Sequence, residues 1–268
     1  MSLTDAQVAA AAADLFSAEV SGTQIGLLSL RHPELDMDDA YRIQAELVSQ
    51  KIQSGRTVVG WKIGLTSKAM QQVLNIDIPD SGVLLDDMVF DNGATVPANR
   101  FIQPRIEAEI AFLMKNSLGG DNITRDDVIL ATESVVPSIE ILDTRIVRID
   151  AATAQTRSVS DTISDNAANA GVVMGDVRHA INDQDLRWVG AIASRDGEVI
   201  ETGLGAGVLN DPVESVVWLA RRLAQYGQTI EAGQVILSGS FIRPLECPPG
   251  CKIHVDFGSF GSVQINFG

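Results

Sequence analysis

Residues that bind zinc or form disulfides are scarce in this chain of 268 residues. Cys247 and Cys251 are separated by Pro-Pro-Gly near the C-terminus, and the three histidines are scattered along the sequence. A zinc site would need a further pair of cysteines or histidines at ligand spacing, and the sequence contains none. We therefore expect the two cysteines to be a reduced pair in a turn, and we exclude a zinc-binding or disulfide-rich domain.

The sequence also lacks a long hydrophobic run and an excess of basic residues. No segment approaches the roughly 18 consecutive apolar residues of a membrane span, and the N-terminal segment lacks the basic region of a signal peptide. The formal net charge of −15 arises from 35 acidic and 20 basic residues. Such a charge repels nucleic acids and anionic membrane surfaces. We expect a cytoplasmic protein that binds neither.

The N-terminal residues have the pattern of two helices. Thr4 and Gln7 have the spacing of a capping box, and Asp36 or Asp38 can cap a second helix that ends near Gly55. The apolar residues that follow these caps recur at roughly helical spacing. We therefore predict a small helical lobe at residues 1–56.

From Thr57 onward, many segments have strand composition and few helices separate them. This order favours a mixed or mostly antiparallel sheet over a doubly wound parallel sheet, so we predict an α+β fold. Residues 57–268 would form a β-rich catalytic domain. The polar stretch 145–169 has little apolar periodicity, and we predict a long loop there, of the kind that often closes over an active site.

Three glutamates are candidate metal ligands. Glu107 and Glu109 lie two residues apart in a strand-like segment, so their carboxylates share one face of the strand. A solvated strand face explains this pair equally well. Glu140, however, lies in the apolar segment VVPSIEIL, where a lone buried carboxylate would cost several kcal/mol. Mg²⁺ or Mn²⁺ would remove that cost, and an ion pair with Arg105 is the alternative.

Lys62 and Asp80 are two further charged residues of interest. Lys62 lies in the apolar segment VVGWKIG, and a buried lysine either pairs with an acid or serves in catalysis. Asp80, in IPDSG, has the surroundings of a turn residue. The segment 161–171 is dense in small polar residues, which is typical of a loop bonded to its own backbone or of a substrate-binding loop.

Five segments, in this order, resemble a single enzyme family. They are GWKIGLTS (60–67), IPDSGVLLDDM (78–88), PRIEAEIAF (104–112), VVPSIEILD (135–143) and DTISDNAANAG (161–171). Together they resemble the family of 2-hydroxydienoate hydratases and 4-oxalocrotonate decarboxylases, which are relatives of fumarylacetoacetate hydrolase. The resemblance extends from about Leu30 to the C-terminus.

This resemblance implies a mixed β-roll core with a divalent metal, Mg²⁺ or Mn²⁺, at its centre. The implied metal ligands are Glu107, Glu109 and Glu140. Lys62, Asp80 and Ser164 are implied to line the pocket, and we assign catalytic roles to Lys62 and Asp80 without separating the two. The resemblance also implies a homo-oligomer, a pentamer or a decamer, that acts on a small anionic 2-keto acid.

We expect a hydratase that adds water to a 2-hydroxydienoate or 2-oxo-4-enoate in the breakdown of aromatic compounds. The resemblance favours a seven-carbon dioate, whose second carboxylate would need a cation. Arg157 and Arg243 are the candidates for that cation. A decarboxylase that releases CO₂ and a hydratase of a five-carbon monoacid are the alternatives.

Two other classes are disfavoured. A hydrolase that cleaves a carbon–carbon bond would need a histidine to activate water, and no histidine lies near the metal motifs. A non-catalytic partner subunit would not need to keep every expected ligand together with Lys62. The metal-dependent hydratase therefore stays the preferred prediction, with the decarboxylase as its alternative.

Overall fold

The computed structural model describes residues 2–68, 71–72 and 78–268, and it begins with two long helices whose first turns are capped. Helix α1 (Asp5–Ser21) follows Thr4, which forms the predicted capping box with Gln7. After the short helix α2 (Leu28–Arg31), helix α3 (Met37–Gln53) follows Asp36, whose side chain accepts a hydrogen bond from the backbone of Asp39. The predicted caps are therefore confirmed.

The helices α1 and α3 share a small hydrophobic core. Its buried members include Leu15, Ile43 and Leu47, and Ile146 from the later part of the chain belongs to the same cluster. The predicted boundary at residue 56 stays a prediction. In the described ranges, no helix is long and apolar enough to cross a membrane.

Most strands belong to one large mixed sheet. Its strands are β1 (Val58–Gly64), β2 (Asp80–Leu85), β3 (Val89–Phe90), β5 (Arg105–Met114), β6 (Thr132–Leu142), β7 (Asn169–Met174), β10 (Val235–Leu237) and β11 (Leu245–Glu246). They are arranged in the order β2-β1-β10-β5-β6-β7-β3, with β11 paired to β5. The β1–β10 and β3–β7 pairs are parallel and the others are antiparallel.

A second sheet packs against the first. It contains β4 (Thr95–Val96), β8 (Gly190–Arg195), β9 (Glu198–Leu204), β12 (Lys252–Asp256) and β13 (Ser262–Phe267), in the order β4-β13-β12-β8-β9. Buried residues of both sheets, such as Phe112 of β5 and Ile265 of β13, belong to one core cluster. Helices α4 (Arg125–Ala131) and α6 (Pro212–Ala224) also contribute to this cluster. The predicted α+β fold with a mixed, mostly antiparallel β core is confirmed.

The predicted long loop at residues 145–169 is wrong in its second half. Helix α5 (Val159–Ser164) and a 3₁₀ turn at Asn166–Ala168 lie there, and many of their residues are buried. The backbone N–H and the hydroxyl of Ser29 donate to the Asp161 carboxylate at 2.8 and 2.7 Å. Because this contact joins residues far apart in sequence, a local apolar pattern does not reveal it.

Candidate active site

The three predicted glutamates come together on the neighbouring strands β5 and β6. Glu107 and Glu109 share one face of β5, and Glu140 of β6 lies directly opposite Glu107 in the antiparallel ladder. Each glutamate offers a carboxylate oxygen, and these three atoms lie within 4.8 Å of one another. Oxygen ligands of Mg²⁺ lie about 2.1 Å from the ion, and hence up to about 4.2 Å apart. A small movement of the three carboxylates towards one another would let all of them bind one cation.

Several buried carboxylate oxygens of this cluster accept no hydrogen bond from the described residues. Glu109 and Glu140 are fully buried. Oε2 of Glu109 accepts a hydrogen bond from the backbone N–H of Gly239 at 2.8 Å. Oε1 of Glu109 and both carboxylate oxygens of Glu140 accept none of good geometry from the described residues. An ionised carboxylate that is buried without hydrogen bonds costs free energy of folding. The cluster therefore fits a divalent cation, which oxygen ligands would bind.

The protonation of the glutamates reflects this burial. Burial, followed by the negative charge of Glu140, raises the pKa of Glu107 to about 8. The same two causes raise the pKa of Glu109 well above its ordinary value. Without a cation, the cluster therefore retains protons at pH values where an exposed glutamate is ionised.

Lys62 and Asp80 border the glutamates on the antiparallel strands β1 and β2. Nζ of Lys62 lies 3.4 Å from Oε1 of Glu140. Burial by itself lowers the pKa of Lys62, but the charge of Glu140, then that of Asp80, raises it above its ordinary value. Lys62 therefore keeps its positive charge although it is buried.

Asp80 is a buried strand residue, and its prediction as a turn residue is wrong. It begins β2, where it pairs with Gly64 of β1. Burial raises the pKa of Asp80, although the charge of Lys62 opposes this shift. A Cβ at Gly64 would lie 2.2 Å from Oδ1 of Asp80 and 3.0 Å from Nζ of Lys62. The second glycine of GWKIG therefore leaves room for these two side chains.

A cavity of about 450 Å³ opens beside these groups. Lys62, Asp80 and Glu107 line it, as do the predicted Arg157 and Arg243. Arg243 is exposed, however, and pairs with Glu201. The structure thus brings five of the predicted site residues to the lining of one cavity.

Two residues differ from their sequence-based expectations. Ser164 ends α5, is fully buried and is not among the residues that line the cavity. Arg105, the alternative partner of Glu140, lines the cavity but forms no ion pair with any carboxylate of the described ranges. Glu140 instead has Lys62 as its nearest cation, so the ion-pair alternative with Arg105 is wrong.

Sequence reasoning missed a buried ion pair behind the cavity wall. Nε of Arg145 lies 2.5 Å from Oδ1 of Asp165, and the backbone N–H of Arg145 donates to Oδ2 at 2.8 Å. The next residues, 166–168, have φ values of 52°, 53° and 58°, the left-handed region that non-glycine residues rarely adopt. Ala167 and Ala168 line the cavity. The Asp165-Asn166 pair is the one local signal, because both residue types tolerate such turns.

Comparisons with known proteins assign the chain to a family. No protein-family model matches it. Over 253 residues it is 50% identical to the 2-oxo-hept-4-ene-1,7-dioate hydratase of Escherichia coli, which covers 94% of this chain and 95% of that protein. The chain belongs to the family of 2-hydroxydienoate hydratases and 4-oxalocrotonate decarboxylases. The resemblance found in the five sequence segments is confirmed.

Solved structures agree with this family. The 4-oxalocrotonate decarboxylase from Pseudomonas putida G7, complexed with magnesium and adipate, superposes with a TM-score of 0.93 and 34% identity. The match covers 100% of this chain and 99% of that one. Fumarylpyruvate hydrolase from Pseudomonas aeruginosa, at 11% identity and a TM-score of 0.57 over 77% of this chain and 88% of that one, shares the fold alone. The predicted fold of the fumarylacetoacetate hydrolase type is therefore confirmed.

Proposed function

We propose that the protein is a Mg²⁺- or Mn²⁺-dependent hydratase that adds water to a 2-oxo-4-enoate, with 2-oxohept-4-ene-1,7-dioate as the favoured substrate. The cluster of Glu107, Glu109 and Glu140 carries this proposal, because three of its buried oxygens accept no hydrogen bond of good geometry from the described residues, and because it lies beside a cavity of suitable size for a small acid. Identity of 50% to a hydratase of this dioate, against 34% to a decarboxylase, favours hydration. We further propose a homo-oligomer, as the family resemblance implies.

Charge at the site supports an anionic substrate. A divalent cation bound to the three glutamates would polarise the 2-oxo group and stabilise the negative charge that develops on its oxygen. The three carboxylates exceed the charge of the cation by one, and Lys62 offsets that excess. Attraction of the substrate is therefore local, although the chain as a whole carries a formal charge of −15.

Hydration requires proton movements and one addition of water. A proton leaves C3 and another is added at C5, which leaves a 3,4 double bond conjugated with the 2-oxo group. The oxygen of water then bonds to C4, and a proton returns to C3. We propose that Asp80 moves a proton or orients the water, because burial raises its pKa towards the range that proton transfer requires. Lys62, which keeps its charge, stabilises the enolate.

The mass of the product tests this proposal. The protein would be incubated with Mg²⁺ and the seven-carbon 2-hydroxydienedioate, and we expect a product that is heavier by one water. Exhaustive chelation should abolish the reaction, and restored Mg²⁺ or Mn²⁺ should recover it. Loss of one CO₂ would instead identify the decarboxylase, and full activity after chelation would contradict the metal-dependent reaction.

A further inference from the structure

We infer that Arg105 and Arg157 together bind the distal carboxylate of the substrate and thereby select dioates over monoacids. The inference rests on the proposed function, because it assigns a second subsite within the same cavity. Both arginines line that cavity, and neither forms an ion pair with a carboxylate of the residues that the structure describes.

Arg105 forms no ion pair with the residues that the structure describes. It pairs in the β5–β11 ladder with Glu246, but the carboxylate of Glu246 binds Arg148, with Nη1 2.5 Å from Oε1. Nε of Arg105 is buried and makes no hydrogen bond within the described structure. The buried Nε–H group has lost its hydrogen bonds to water and has gained no acceptor in the protein. A substrate carboxylate that accepted a hydrogen bond from it would therefore be stabilised.

Arg157 reaches the same cavity from the segment that precedes α5. Its Nη1 donates to the hydroxyl of Thr144, which is a neutral partner. Burial lowers the pKa of Arg157, and although Asp165 opposes this shift, the positive charge of Arg105 lowers the pKa further. The two guanidinium groups thus repel each other in a partly buried space, and an anion between them would relieve that repulsion.

The spacing along β5 fits the length of a dioate. Arg105 lies two residues before Glu107 and on the same face, which places the two residues about 6.7 Å apart along the strand. The two carboxyl carbons of an extended seven-carbon dioate are separated by six bonds, or about 7–8 Å. If the 2-keto acid end lies at the glutamates, the distal carboxylate would lie towards the end of β5 that carries Arg105, and Arg157 lines the same cavity. A five-carbon monoacid has no second carboxylate, so it places no negative charge beside the arginines.

Arg243 is the third arginine that lines the cavity, and it serves as a matched comparison. Its side chain is 79% exposed, and it already pairs with Glu201. Water and Glu201 both compete with a substrate carboxylate at Arg243, whereas no carboxylate of the described ranges pairs with Arg105. The structure therefore favours Arg105 and Arg157 over Arg243 for this role.

The test is the selectivity ratio, which is kcat/KM for the seven-carbon dioate divided by kcat/KM for 2-hydroxypenta-2,4-dienoate. Arg157→Gln and Arg105→Gln should each lower the ratio by about 30-fold or more, the effect of losing a charge-assisted hydrogen bond. Arg157→Lys keeps the charge and should restore most of the ratio. Arg243→Gln should change the ratio by less than about threefold.

Binding supplies a second readout that does not depend on turnover. Heptanedioate, a saturated seven-carbon dicarboxylate, should bind the Mg²⁺-loaded protein more tightly than hexanoate, and Arg157→Gln should remove most of that preference in calorimetry. Equal losses on both substrates, or an unchanged preference for heptanedioate, would overturn the two-arginine subsite. A wild-type protein that hydrates neither substrate would reject the proposed function, and the binding preference would still decide the subsite.

Discussion

Two of the clusters in which the described residues bury charge are built differently. Around Arg145 and Asp165, the charged groups satisfy one another: the carboxylate binds both Nε and the backbone N–H of Arg145, and Nη2 donates to the Asp165 carbonyl at 2.7 Å. Around Glu140, both carboxylate oxygens accept no hydrogen bond of good geometry from the part of the chain that the structure describes, and Nζ of Lys62 is 3.4 Å from Oε1.

This difference distinguishes the structural ion pair of Arg145 and Asp165 from a glutamate cluster that could hold a metal ion. A buried ion pair contributes to folding only when its hydrogen-bonding capacity is met, because desolvation costs several kcal/mol per charge. The pair of Arg145 and Asp165 meets this condition and holds the left-handed turn that lines the cavity. The glutamate cluster does not meet it with protein groups. We expect a substitution at each cluster to affect a different property of the protein.

The largest expected effect is the loss of activity in Glu140→Gln. The amide keeps the shape of the side chain but removes the charge that a divalent cation requires, so activity should fall by about 10³-fold or more. Binding of Mg²⁺, measured by calorimetry, should weaken in parallel. Unfolding in the presence of a chelator should show a smaller loss of stability than breaking the pair of Arg145 and Asp165, because Lys62 loses one counter-charge but keeps Asp80 and the other two glutamates nearby. A stable variant with wild-type activity would contradict the metal-ligand role.

The opposite pattern is expected for Asp165→Asn. This change leaves Arg145 buried without its counter-charge, and breaking such a pair costs about 3–5 kcal/mol. Denaturant unfolding would measure the loss of stability, while the Mg²⁺ affinity of the folded protein should stay close to that of the wild type. If Asp165→Asn weakened Mg²⁺ binding as strongly as Glu140→Gln, the distinction between the two clusters would fail.

The same distinction explains what sequence reasoning could find. The glutamate cluster was predictable because strand periodicity places Glu107 and Glu109 on one face, and because a charge inside an apolar strand is conspicuous. Arg145 lies in a polar stretch, where a charge is ordinary. Its burial depends on Asp165, twenty residues later in the sequence, and on a turn geometry that composition does not encode.

Sequence patterns would have corrected only part of the wrong loop prediction at residues 145–169. Ser158 and Asp161 form a capping box at the start of α5, and this spacing is visible in the sequence. Helix α5 has only six residues, however. It is therefore too short to show the repeat of apolar residues that identifies a helix in a sequence. The burial of Asp80 is likewise set by the pairing of β1 with β2, which only the assembled sheet shows.

The smallest expected effect is a difference in how pH changes the stability of the metal-free and metal-loaded protein. The ordinary pKa of a glutamate is 4.5, and burial raises that of Glu107 to about 8 in the folded, metal-free protein. Between these pH values the folded state retains a proton that the unfolded state has lost, so stability should fall as pH rises from about 4.5 to about 8. Bound Mg²⁺ requires the ionised carboxylates, so the loaded protein should not show this decline.

Thermal unfolding between pH 5 and pH 8, with chelator or with excess Mg²⁺, tests this difference. The two curves of Tm against pH should diverge by a few degrees or more towards pH 8. Glu107→Gln removes one of the titrating groups and should make the metal-free curve less steep, while Glu109, whose pKa is also raised, keeps part of the slope. Parallel curves in the wild type would show that the cluster does not exchange protons for the cation.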